Sequence, residues 1–275
     1  MSSLNQENNF SVLMAVYHKD DPGLLRMALD SIYTNSLPPA AVVLVQDGPV
    51  GNELSNVIQS YKGSKGFSLI VMPSNAGLAN ALNFGLKHIT TPYVFRADAD
   101  DYNLPHRFER QMVELLSGFD LVGSEIVEVN KAGILLARRD VPSTNSEIRR
   151  VISKRNPFNH MTVAYRKSKI LELGGYPNIY LKEDYALWAL MLASGSNMKN
   201  ISDVLVHATA GLDMHKRRGG FKYVRSEIDM QNFLMKCGLQ SFGAAIAIGV
   251  ARSFVFLLPA TLRGFIYKNF LRKAV

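Results

Sequence analysis

The sequence predicts an α/β fold built on a mostly parallel sheet flanked by helices, and two observations carry that reading. Four short apolar runs, FSVLMAVY (10–17), AVVLVQD (41–47), FSLIVM (67–72) and PYVFRA (92–97), have strand length and β-branched or aromatic content without clean polar alternation, as strands buried on both faces do. Between them lie three helical patterns, and repeated strand–helix units imply parallel strands joined by right-handed crossovers.

The elements follow in order. Leu24, Leu25, Ala28, Leu29 and Ile32 recur at helical spacing after Asp21-Pro22, an N-cap and first-turn pair, and Leu78, Leu82 and Leu86 do the same after Asn75. After Asp101 the pattern changes. FDLVGSEIVEV (119–129) and GILLARRDV (133–141) predict a hairpin around Asn130 to Gly133, TVAYR (162–166) and DVLVHA (203–208) predict further strands, and helices are expected at 105–117, 143–153 and 183–194. No repeat or Pro-rich linker interrupts the chain, so the expected division is a main domain over 1–220 and a C-terminal helical segment over 221–275.

That last segment has its own character. SFGAAIAIGVARSFVFLLPATL (241–262) carries one charge, Arg252, and a late Pro259. A charge near the centre of a spanning helix costs roughly 2.5 to 3.5 kcal/mol on insertion, which favours a helix lying in the membrane interface. TLRGFIYKNFLRKAV then mixes Phe265, Ile266, Phe270 and Leu271 with Arg263, Lys268, Arg272 and Lys273, a composition suited to an anionic leaflet. An amphipathic helix packed on the domain, or a dimer contact, is the alternative.

Composition narrows the chemistry. Hydrophobic residues make up 47% and charged residues 20%, ordinary values for an ordered globular chain. Cys237 is the only cysteine, which rules out an intrachain disulfide and a Cys-based zinc site. MSSLNQENNF has neither a basic n-region nor an apolar h-region, so a cytosolic protein is expected. Residues 1–136 carry nine Lys/Arg against fourteen Asp/Glu and residues 137–275 carry 22 against nine, so the net +8 is all C-terminal. Such a block suits nucleic acid, anionic lipid or a phosphorylated substrate.

In parallel sheets ligands bind beyond the carboxyl ends of the strands, where Tyr17, Asp47, Asn75 and Asp98 to Asp101 all fall. The stretch VFRADADD (94–101) crowds three like charges behind Arg96. Such acids repel unless a cation compensates, and Mg²⁺ or Mn²⁺ shared with substrate phosphates is the hard-cation solution. An EF-hand is excluded, since Asn103 and Tyr102 stand where its glycine and third oxygen ligand belong. An aspartyl nucleophile of the phosphatase kind would normally follow the first strand, not the fourth, and an incidental acidic loop is the bland reading. Glu183-Asp184, opening a helix, reads either as dipole-favoured capping or as a general base apart from the metal site. Neither GxGxxG nor GxxxxGK[ST] occurs, so phosphates would be held by metal and side chains.

Taken in order, AVYHKDDPGLLRMALDSI, VLVQDGP, PSNAGLANALNFG, YVFRADADD, GGY and KEDYALW resemble the inverting family 2 glycosyltransferases of the GT-A fold over roughly residues 10–215. RNPFNHMTVAYRKSKILELGGY (155–176) further resembles bacterial enzymes that build O-antigen or exopolysaccharide repeat units. The resemblance implies that Ala15, Val16 and Tyr17 line the nucleotide pocket, that Asp47 accepts from uracil, and that Asn75, Asn80 and Arg96 lie along the nucleotide and its phosphates. It implies that Asp98 and Asp100 form the DxD element that holds Mg²⁺ or Mn²⁺, with Asp98 nearer the donor sugar, and that Asp184 is the base with Glu183 beside it. Asn80 stands where many relatives have Arg, and Tyr17-His18 replaces the more common Tyr-Asn.

His160, Trp188, Arg217 and Arg218 are candidates for the acceptor side, with structural roles as the alternative reading. The acceptor implied is a saccharide on a polyprenyl diphosphate, which would place the enzyme peripherally on the inner face of the cell membrane with no nucleic-acid partner. Two other readings stay open: a non-catalytic basic protein binding nucleic acid or anionic membrane, and a nucleotidyltransferase consuming a sugar phosphate and a nucleoside triphosphate.

Overall fold

Strands β1 (Phe10–Val16), β2 (Ala41–Gln46), β3 (Phe67–Val71) and β4 (Tyr93–Arg96) run parallel in the order β3-β2-β1-β4, as the four apolar runs predict. The computed structural model describes residues 9–210, 219–259, 262–263 and 273–274. Phe10, Val12, Met14, Val42, Leu44 and Phe95 point to one face, against Leu25, Leu29 and Ile32 of α1 (Pro22–Tyr33) and Leu54 and Ile58 of α2 (Asn52–Ser60). Leu13, Val43, Val45 and Val94 point to the other, against Leu82 and Leu86 of α3 (Leu78–Leu86). Period-two alternation with both faces apolar is why these strands read as continuous hydrophobic runs.

Beyond β4 the sheet is mixed, which corrects the expectation of a mostly parallel one. After β5 (Tyr102–Asn103) and α4 (Arg107–Leu116), β6 (Leu121–Val129) turns directly into β7 (Leu135–Arg139), and such a short link can join only antiparallel neighbours. Asn130 Oδ1 closes this turn by accepting from the Ala132 and Ile134 amides. After α5 (Asn145–Ile152) and a short 3-10 turn (His160–Thr162), β8 (Ala164–Arg166) lies antiparallel between β4 and β6. Following α6 (Lys167–Glu172) and α7 (Glu183–Ala193), β9 (Met198–Thr209) runs parallel to β6 and pairs antiparallel with β5, while β10 (Lys273–Ala274) pairs antiparallel with β7.

The C-terminal helices α8 (Phe221–Lys236) and α9 (Phe242–Leu257) pack on each other and on the domain. Met230 and Leu234 of α8 join the core that holds Leu187 and Leu192 of α7. Among the described residues no helix is long and apolar enough to cross a membrane. Arg252 points inward and pairs with the buried Glu227, whereas Phe242, Ile246, Val250, Phe254 and Leu257 are all at least half exposed on α9. Arg217 and Arg218, and most of the basic stretch after Pro259, lie outside the described residues.

Candidate active site

The run of acids begins where β4 ends. Backbone turns at Ala99 and Asp100 reverse the chain before β5, which brings the carboxylates of Asp98, Asp100 and Asp101 together with oxygens within 4.8 Å of one another. Asp100 is exposed, Asp98 is half-buried, and Asp101 is buried with Oδ1 accepting from the Thr209 amide at 2.8 Å. Oδ2 of Asp101 is buried without a hydrogen-bond partner among the described residues. Although the residue reaches solvent, protein packed around its carboxyl desolvates it, and this, followed by the charge of Asp98, pushes Asp100 up to about 7. Burial, reinforced by Asp98 and Asp100, raises Asp101 well above the ordinary carboxylate range. An all-oxygen set with this surplus of negative charge fits a hard divalent cation.

Two buried arginines support the turn from behind. Arg96 is 1% exposed and donates from Nη2 to Asp98, while its Nε and Nη1 are buried without hydrogen-bond partners among the described residues. Burial works against its charge, and Asp98 more than offsets that cost. Arg107, fully buried, donates to the carbonyl of Arg96 at 2.6 Å, to Gln111 at 3.1 Å and to Asn103. Burial and the neighbouring Arg96 lower Arg107 to about 9. Arg107 ties the strand before the acids to the strand after them, a role with no local motif to announce it.

The ends of β1 and β2 make the adjoining wall. Asp47, buried, accepts from Ala76 N at 2.7 Å, from Gly77 N at 3.0 Å and from Asn75 Nδ2 at 3.0 Å, so it organises the loop that enters α3. Gly48 follows with φ +85°, and a Cβ there would lie 2.5 Å from the Asn75 amide nitrogen. Only glycine permits so close a crossing. Asn75 and Asn80 stay exposed on this rim, with Asn80 donating to Ala76 O at 2.8 Å. Ala15 and Tyr17 are half-buried and Val16 is buried at the end of β1. The Tyr17 amide donates to Asp20 at 2.9 Å, and Asp20 adds to the negative field on Asp100, a fourth acid that sequence reasoning missed.

The second acidic pair opens α7. Glu183 is buried, and burial followed by the charge of Asp184 raises it to about 7; the charges of Arg96 and Asp98 also reach it, so the two acidic groups lie within electrostatic range of each other. Asp184 is half-buried and accepts from Asn156 Nδ2 at 2.6 Å. The orientation of that amide is set by Phe158 N, which donates to Asn156 Oδ1 at 3.1 Å. Gly175-Tyr176 crosses beneath: Asn83 of α3 accepts from Tyr176 N at 2.7 Å and donates to Tyr176 O at 2.9 Å. A Cβ on Gly175, at φ +85°, would sit 2.3 Å from Asn83 Oδ1.

His160, at 3.3 Å from the Tyr176 hydroxyl, is held neutral because burial and the nearby Arg96 both lower it. Trp188 is fully buried against Phe158, His160 and Tyr176. Its ring is therefore core beneath the site and presents no surface to an acceptor.

The model of glycosyl transferase family 2 matches residues 11–174, which include the ends of β1 and β2, the loop into α3 and the DxD turn. The chain belongs to glycosyl transferase family 2. Over 270 residues this glycosyltransferase is 42% identical to the UDP-Gal:α-D-GlcNAc-diphosphoundecaprenol β-1,3-galactosyltransferase of Escherichia coli, covering 96% of this chain and 97% of that protein. It is 33% identical over 262 residues to the amylovoran biosynthesis glycosyltransferase AmsE of Erwinia amylovora, covering 94% and 98%.

Among solved structures, S. aureus TarS 1-349 in complex with UDP-GlcNAc aligns with a TM-score of 0.69 at 18% identity, covering 96% of this chain and 76% of that one. The mannosyltransferase PcManGT of Pyrobaculum calidifontis, in complex with GDP-Man and Mn²⁺, aligns with a TM-score of 0.64 at 17% identity, covering 92% and 77%. At such identities the likeness is one of fold, α/β and GT-A-like. Family membership removes the non-catalytic and nucleotidyltransferase readings.

Proposed function

We propose that this glycosyltransferase transfers a sugar, with inversion at the anomeric carbon, from a UDP-sugar to a saccharide carried on a polyprenyl diphosphate during bacterial surface polysaccharide assembly. UDP-galactose as donor and a diphosphate-linked GlcNAc as acceptor are the first pair to test, a choice supported by the 42% identity to the Escherichia coli galactosyltransferase. The observation that carries the reading is the turn after β4 that gathers the Asp98, Asp100 and Asp101 carboxylates, within electrostatic reach of Glu183 beside Asp184.

In this reading the acceptor hydroxyl gives its proton to the Asp184 carboxylate as its oxygen attacks the anomeric carbon, and the bond to the diphosphate breaks on the opposite face. Asn156 and the start of α7 aim Asp184. Asp47 and the loop from Asn75 to Asn80 form the nucleotide wall with Ala15, Val16 and Tyr17. Asp98 and Asp100, with Asp101 beneath, would hold Mg²⁺ or Mn²⁺, whose chemistry when bound is to offset the charge growing on the leaving diphosphate. Arg96 orients the Asp98 carboxylate through the contact from its Nη2. His160 in the second layer, and Arg217 and Arg218 in the chain between β9 and α8, remain the acceptor-side candidates.

We assign residues 1–220 to catalysis and 221–275 to contact with the inner face of the membrane. The outer face of α9 supports this: Phe242, Ile246, Val250, Phe254 and Leu257 form an exposed apolar stripe without a charged residue.

Incubation of UDP-galactose with a short-chain alkyl diphosphate of GlcNAc, with Mn²⁺ or with a chelator, tests the proposal. Metal-dependent transfer giving a β-linked product is expected. An α-linked product would reject inversion, full activity in chelator would reject the metal site, and transfer only from a GDP-sugar would reject the donor class.

A further inference from the structure

Behind the two acids of α7 lies a buried ionic group that the chemistry above does not use. Glu227 of α8 has no exposed surface and accepts from Lys182 Nζ at 2.6 Å, from Arg252 Nη1 at 2.9 Å and from Gln231 Nε2 at 2.6 Å. Lys182 immediately precedes Glu183-Asp184, and its ammonium also faces the rings of Tyr223 at 4.9 Å and Phe256 at 5.7 Å. Arg252 makes a second contact, donating from Nη2 to the carbonyl of Lys154, two residues before Asn156.

The segment entering α7 is constrained as well. Leu181 has φ 54°, the only positive φ of a non-glycine among the described residues, and Ser226 of α8 donates to the carbonyl of Tyr180 just before it. A leucine adopts that conformation only when its surroundings impose it.

Asp184 is thus reached by two pieces of chain, Tyr180 to Lys182 from one side and Lys154 to Asn156 from the other, and the α8–α9 pair grips both. A buried ion pair adds little stability, because desolvating two charges cancels most of their attraction. What it does supply is direction. Fixed N–H···O geometry holds a group in one place where apolar packing would let it slide.

We propose that Glu227 and Arg252 are positioning residues for transfer, a brace that keeps Asp184 and Asn156 in register with the donor. The proposal rests on Asp184 being the base.

Arg252→Met is the direct test, because it removes the shared contact while leaving Glu227 its lysine partner. Should that variant misfold, Lys182→Met/Glu227→Met/Arg252→Met replaces the whole buried group with apolar volume and leaves no orphaned charge. For the folded variant we expect kcat in the galactose transfer assay to fall about 10- to 100-fold, with donor KM and UDP–Mn²⁺ affinity by calorimetry unchanged. In an Asp184→Asn background the same substitution should change the residual rate less than about two-fold, since no base remains to be positioned.

Wild-type kcat in the folded variants overturns the brace. So does an equal fractional loss in the Asp184→Asn background, which would mean a general structural defect. Asp184→Asn measured alone separates the two readings: if it is slow while Arg252→Met is not, only the brace fails, and if it turns over normally the base assignment fails and takes the brace with it.

Discussion

Asn156 Nδ2 donates to Asp184 Oδ2 across 2.6 Å, joining the chain after α5 to the first turn of α7. Replacing the acid with its amide removes the proton acceptor but keeps the shape. Asp184→Asn should lower kcat by about 10²- to 10⁴-fold with UDP affinity unchanged, and Asn156→Ala should cost about 10-fold in kcat through lost aim. Steady-state kinetics beside calorimetry with UDP check both, and wild-type turnover in Asp184→Asn would refute the base.

Glu183 predicts a pH dependence of stability. Its folded pKa is raised from 4.5 to about 7, by burial first and Asp184 next. The folded state therefore binds a proton more tightly than the unfolded chain, and stability falls as pH rises from about 4.5 to about 7, then levels. Glu183→Gln lacks that proton. Its Tm relative to wild type should climb across the same window in metal-free buffer, and a constant difference would contradict the burial argument.

Gly48 predicts a backbone effect on nucleotide binding. At φ +85° with the Asn75 amide 2.5 Å from a would-be Cβ, Gly48→Ala should destabilise the fold by about 1 to 2 kcal/mol and push the Asn75 loop away from Asp47. Thermal unfolding reads the first effect. A weakened UDP affinity by calorimetry reads the second.

Metal and nucleotide should bind as a unit. A ligand at 100 times its Kd adds about 2.7 kcal/mol of stability, so UDP with Mn²⁺ should raise Tm measurably, while Asp100→Ala should abolish the increment. An undiminished shift in Asp100→Ala would remove that residue from the metal site.

The apolar stripe on α9 is testable by flotation. Wild type should rise with vesicles containing anionic lipid, and Val250→Asp/Phe254→Asp should stay behind while retaining transfer to a short-chain soluble acceptor. Equal flotation of both proteins would mean that the stripe does not contact lipid.

Much of the fold was legible in local pattern. Strands β1, β2 and β4 are buried on both faces, so each reads as an apolar run whatever its partner; the half-buried edge strand β3 shows the same apolar run, and Asn130 to Gly133 carries its own turn chemistry. The order of the acids in VFRADADD was equally plain, because a strand end followed by a turn is a local event.

The tertiary structure decided which distant groups meet. Asn156 lies 28 residues from Asp184, Asn83 lies 93 from Tyr176, and Lys182 lies 45 from Glu227, separations at which no periodicity registers a partner. It also turned Arg252, which the sequence presents as an obstacle in an apolar helix, into an internal ligand of Glu227, and it placed Trp188 beneath the site. The physical reason is the range of the forces involved. Hydrophobic periodicity and turn propensity act within a few residues of chain, whereas a charge buried far from water is stabilised only by the partner that the completed fold brings to it.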